Sequence, residues 1–103
     1  MLDICGPLEV FSRAARLATD EGRRGPPPYV VELVAPRRGR LRMSCGIELV
    51  AQRRFSDVSS GVDTLFVAGG RGARAALGDR PLVAWIRKMA GRVRRIASVC
   101  TGA

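Results

Sequence analysis

The stretch DTLFVAGG, residues 63–70, decides how this chain is read. Leu65, Phe66, Val67 and Ala68 form a continuous apolar run, the pattern of a strand covered on both faces. Gly69 and Gly70 end it. RIASVC, residues 95–100, is a second short apolar strand. Between the two, Asp79 and Pro81 mark a helix start, and Leu82, Trp85, Ile86 and Met89 fall at i, i+3, i+4 and i+7 on one face. Gly91 is a plausible stop, and a shorter helix is expected from Ala73 to Leu77. Apolar strands separated by helices imply parallel strands in an α/β sheet.

Upstream, YVVELVA (residues 29–35) is short and Val-rich and reads as another strand. LRM and IEL look like short extended pieces about a turn at Cys45 and Gly46. Near the start, Pro7 suits the first turn of a helix, with Leu8, Phe11, Ala14, Ala15 and Ala18 on its core face. Gly22, Gly25 and three prolines break that helix. A strand is expected ahead of this helix and a further helix after Cys100, so the sheet is expected to be incomplete within these residues. Residues 1–103 read as the N-terminal part of one domain, with no second domain.

Composition sets the outer limits. The chain has 103 residues, 47% apolar and 26% charged, which suits one small folded unit rather than a disordered chain. No apolar run is long enough for a membrane span and no secretory leader is visible, so a cytoplasmic location and no membrane partner are expected. The three cysteines are far apart and there is no histidine. A structural zinc site lacks its ligands, a disulfide framework is not expected, and no cofactor is expected. Any Cys-His pair must take its histidine from elsewhere. The net charge of +9 raises nucleic-acid binding. Yet the 17 arginines are scattered and only five aromatics accompany them, which favours a solvated basic surface over a binding module.

Three stretches carry residues suited to chemistry. In SVCTG, small residues (Ser98 and Gly102) flank Cys100 at the second position each way, as a nucleophile elbow requires. There the backbone is strained and the thiol projects over a helix N-terminus, where negative charge is stabilised. A buried cysteine at a strand end fits the same letters equally well. In VAGGRG, glycines at a strand end let backbone N–H groups approach a ligand or an oxyanion. Gly70, Gly72 and Ala75 also satisfy a dinucleotide fingerprint, but nothing acidic follows Asp79 to hold a ribose. In LDICGPLEVF, Asp3 and Glu9 are acids at a helix start, where capping and a solvated face account for each taken alone.

LDICGPLEVFSRA, DTLFVAGG and RRIASVCTGA, in this order and spacing, resemble the ThiJ/PfpI-like class I glutamine amidotransferase superfamily. The nearest branch is that of the GlxA-type AraC-family regulators, which carry an amidase-like domain before a helix-turn-helix region. The resemblance implies a flavodoxin-like three-layer α/β sandwich with a mostly parallel sheet, in a homodimer. It places Cys100 at the elbow and Asp3 as the acid that approaches its thiol. Gly69, Gly70 and the N–H of Thr101 fall at an oxyanion-type, ligand-binding pocket, and Glu9 at the acidic position of the first helix. The partners implied are a small-molecule effector or substrate, and DNA only through a helix-turn-helix region C-terminal to these residues. A stand-alone cysteine-dependent enzyme, isonitrile hydratase-like or hydrolase-like, is the alternative that the same superfamily offers.

Overall fold

A helix forms earlier than Pro7 suggests. In the computed structural model, which describes Met1 to Ala103, α1 runs over Leu2–Asp20 with Pro7 inside it. The N–H groups of Ile4 and Cys5 both donate to the Met1 carbonyl at 3.0 Å, closing the first turn ahead of the proline. Pro7 then removes only the rung to the Asp3 carbonyl, near the helix start, which leaves the other rungs free to form. Asp3 in the first turn also opposes the positive end of the helix dipole favourably. Leu8, Phe11, Ala14, Ala15 and Ala18 are half-buried while Glu9, Arg13 and Arg16 face solvent, as the spacing predicts. No α1 residue is fully buried.

The helix stops by a Schellman arrangement. The Gly22 N–H donates to Thr19 and the Arg23 N–H to Ala18, with Gly22 at φ +86°. Gly6, inside α1, has open space where a Cβ would stand. Gly6→Ala is therefore expected to stabilise the chain by about 0.5–1 kcal/mol, seen as a raised urea midpoint.

After α1 come β1 (Val34–Ala35), β2 (Gly39–Arg42), β3 (Glu48–Ala51), β4 (Arg53–Arg54), β5 (Thr64–Val67), α2 (Ala73–Ala76), α3 (Arg80–Ala90) and β6 (Arg95–Ser98). β5 and β6 pair in parallel, with Leu65 opposite Ile96, and α3 is the crossover between them. β2 and β3 form an antiparallel hairpin about Gly46, which adopts φ +88°. β1 pairs in parallel with β4.

Two expectations are corrected here. The chain is mixed α/β, but its strands make three two-stranded sheets rather than one mostly parallel sheet. The segment at residues 29–35 is a strand only at Val34–Ala35. Residues 29–32 make no backbone hydrogen bond to another backbone group, and Leu33 is held by Gln52 instead, through its N–H to Oε1 at 2.7 Å and its carbonyl to the Gln52 N–H at 3.0 Å. The reason is a missing neighbour. Residues 28–36 and 60–68 line a cavity of about 990 Å³ beneath α1, and no strand runs between them. A strand exists only where a ladder satisfies its backbone groups. The two faces of β5 are covered unequally: Leu65 is buried, while Phe66 meets the Phe11 ring of α1 and stays partly exposed.

The core is small: Ala35, Ala51, Phe55, Val58, Leu65 and Met89 are the buried residues. Val58, Leu65 and Met89 form its centre. α3 reaches it because Asp79 caps the helix, accepting from the Leu82 N–H at 3.0 Å, and because Pro81 follows that cap. Trp85 Nε1 donates to the Val58 carbonyl at 2.7 Å, and its ring meets Phe55 at 5.5 Å.

The entrances to β5 and β6 are tied by charge. Arg94 donates to both carboxylate oxygens of Asp63, at 2.7 and 3.1 Å. The Arg94 guanidinium, helped by the Thr64 hydroxyl, lowers the Asp63 carboxyl from the usual 3.8 to about 2. A carboxylate lowered on folding stabilises the fold above its unfolded value and loses that contribution as pH falls through its folded one. Wild-type urea midpoints are thus expected to fall between pH values of about 4 and about 2. In Asp63→Asn part of that fall should vanish; identical profiles would dismiss the pair as a contributor.

Candidate functional site

The C-terminal ends of β5 and β6 converge on Cys100. The Val99 N–H donates to the Val67 carbonyl at 3.0 Å, so the two chains stay together one residue beyond the ladder. The backbone then turns sharply. Cys100 has φ +56°, and it is the sole non-glycine residue with positive φ. This left-handed conformation costs a residue with a side chain on the order of 1–3 kcal/mol, and it persists only where the surroundings impose it. Residues Cys100–Gly102 continue as a 3-10 turn, closed by the Gly102 N–H on the Val99 carbonyl.

Two glycines allow this approach. A Cβ on Gly69 would stand 2.6 Å from both the Thr101 nitrogen and the Val99 oxygen. A Cβ on Gly102 would collide with the Val67 carbonyl oxygen. Backbone therefore packs directly on backbone, and only glycine fits on either side. Gly70 adds a third constraint with φ +105°. Its N–H donates to Thr101 Oγ1 at 3.0 Å. The sequence pointed to the N–H of Thr101; what the structure shows is its side chain bridging the two strand ends. A small polar residue after the cysteine was the one signal available.

Asp3 belongs to the same neighbourhood, since a Cβ at Gly70 would stand 3.9 Å from Asp3 Oδ2. Asp3, Gly70 and Thr101 are thus brought together from α1, the end of β5 and the elbow. Cys100 is exposed, as is Cys45, whereas Cys5 is half-buried with its thiol 3.4 Å from the Met1 sulfur. Glu9 stands elsewhere. Its Oε1 accepts from Arg16 at 2.9 Å on the solvent face of α1, and it is absent from the cavity that Asp3 lines. That cavity is largely apolar, walled by Phe11, Tyr29 and Phe66, whose rings meet edge to face at 4.9 and 5.5 Å. Cys100, Gly70 and Thr101 do not line it. No group of histidine, cysteine or acidic side chains is arranged to hold a metal ion.

Comparison with known proteins places the chain in a family. The DJ-1/PfpI family model matches residues 2–103. The chain belongs to the DJ-1/PfpI family. Among relatives, an uncharacterized protein in the cpoL 5' region of Streptomyces lividans is 35% identical over 103 residues, covering 100% of this chain and 67% of that protein. The HTH-type transcriptional regulator Rv1931c of Mycobacterium tuberculosis is 43% identical over 42 residues, which is 41% of this chain and 16% of the regulator. The chain thus spans about two thirds of the first relative and a small part of the second. No helix is long and apolar enough to cross a membrane.

Proposed function

We propose that these residues are part of an effector-sensing, amidase-like domain of an AraC-type transcriptional regulator, built on the flavodoxin-like sandwich that its family implies. A small molecule binds over the elbow at Cys100, between the Gly69–Gly70 backbone, Thr101 and Asp3. The readout is DNA affinity in a helix-turn-helix region outside these residues, and the working unit is a homodimer. The observation that carries the binding site is the backbone of Cys100, held at φ +56° by two close-packed glycines. The likeness to the helix-turn-helix regulator supports the regulatory role.

The chain contains its own control for the site, because Cys45 and Cys100 are both exposed. Iodoacetamide labelling followed by peptide mapping is expected to modify Cys100 well before Cys45, since the elbow presents its sulfur at a turn of fixed geometry. Equal rates at the two positions would remove the special status of Cys100. The exposure and strained backbone of Cys100 also favour a second reading, a cysteine-dependent enzyme of the same family with Asp3 handling the proton. Cys100→Ala separates the two. It abolishes turnover in an enzyme, while in a regulator it alters the effector response and leaves basal DNA binding intact.

A further inference from the structure

The hairpin of β2 and β3 has no part in the elbow. Residues 37–42 read RRGRLR, so four of six residues are arginine. All four are exposed. In the hairpin the side chains alternate. Leu41 turns inward and lines the cavity, while Arg40 and Arg42 take the outer face, where Glu48 and Val50 stand opposite them in register. Glu48 pairs with Arg40 at 3.7 Å, a long contact between solvated side chains. Arg37, Arg38 and Arg42 carry neither an ion pair nor a side-chain hydrogen bond.

That separates them from several other arginines. Arg16, Arg53, Arg54 and Arg94 are each neutralised by a carboxylate. The cluster is visible in the linear sequence, and folding decides which of its charges stay unpaired. It neutralises part of the charge locally and leaves Arg37 and Arg38 unpaired at the lead-in to the ribbon and Arg42 unpaired on its outer face, beside the paired Arg40. The ribbon is anchored, because Ala51 at the end of β3 is fully buried. A two-stranded ribbon is one of the two protein elements whose width suits the major groove of duplex DNA. Guanidinium groups at its lead-in and along its outer face suit the phosphates on the rim.

We infer that the β2–β3 hairpin is a DNA-backbone contact, in which Arg37, Arg38 and Arg42 neutralise phosphates of duplex DNA independently of sequence. The contact is separate from the elbow and does not rest on the proposed ligand site. It adds an electrostatic surface within this chain to any helix-turn-helix region elsewhere. Charge complementarity selects the partner, because duplex DNA presents a dense, regular row of phosphates to a chain of net charge +9.

The test is fluorescence anisotropy of a labelled random-sequence duplex titrated with the chain across a range of salt concentrations. Log K against log salt steepens by about 0.9 for each phosphate neutralised. The triple variant R37Q/R38Q/R42Q is expected to flatten the slope by about three. The comparison variant R13Q/R23Q/R24Q removes as much unpaired charge from α1 and the loop after it, and its slope should stay near wild type. Equal flattening in both variants would overturn the proposal, because the binding would then follow net charge alone. Undetectable DNA binding at low salt would also overturn it. Circular dichroism of both variants confirms that fold is retained, as expected for exposed side chains.

Discussion

Gly69→Ala is expected to break the elbow. The new methyl group would stand 2.6 Å from the Thr101 nitrogen and the Val99 oxygen, and both neighbours are backbone atoms that no side-chain rotation can move. The end of β5 and the turn after β6 must separate, and with them the bond from the Gly70 N–H to Thr101 Oγ1. Overpacking of this kind costs about 1–3 kcal/mol. The larger consequence is local. Once the turn relaxes, nothing holds Cys100 in its left-handed conformation, and its alkylation rate should fall to that of Cys45. Gly72→Ala serves as the comparison, since Gly72 has φ −80° and open space around it. Its labelling pattern and urea midpoint should stay close to wild type. A Gly69→Ala variant that labelled at Cys100 like wild type would show that the close approach does not shape the site.

Met89→Ala is expected to have the largest effect on stability. Met89 is 1% exposed and is the largest side chain shut off from solvent. It joins α3 to Val58 and Leu65 at the centre of the core. Truncating a buried methionine to alanine costs about 2–5 kcal/mol, from lost burial and from the cavity left behind. In an ordinary domain that is a large share of the total stability. In this chain, with so few buried residues, the variant should lose cooperative urea unfolding altogether. Leu82→Ala, at a half-buried position on the same helix, should cost clearly less. Equal losses would mean that α3 docks as a whole face and not through Met89.

The elements that could be read from the sequence are those whose causes are local. α3 is one. Its cap at Asp79, its proline and its apolar spacing act within a single helix, and each is found in the expected place. The hairpin about Gly46 is another, because a turn needing positive φ selects glycine wherever it stands. The Asp63–Gly70 run and the run leading to Cys100 were legible as parallel strands, since a helix between two apolar runs leaves few other connections. The sharp turn at Cys100 was visible too, through the small residues that flank it.

What failed were judgements that depend on neighbours. Residues 29–33 have the composition of a strand, yet composition supplies no hydrogen-bond partner, and without one they form no ladder. Pro7 suggested a helix start, but the carbonyl of Met1 was available to close an earlier turn. The acids Asp3 and Glu9 lie on the same helix and looked alike. Only folding set one beside Gly70 and the other against Arg16. The arginine run at residues 37–42 was legible, but only folding showed that Arg40 is paired with Glu48 while Arg37, Arg38 and Arg42 are not. Sequence alone thus determined the helices, the turns and the candidate nucleophile, because these follow from backbone sterics and short-range spacing. Tertiary structure alone decided which strands pair, which charges are cancelled and which glycines must be glycine, because each depends on atoms brought close from distant parts of the chain.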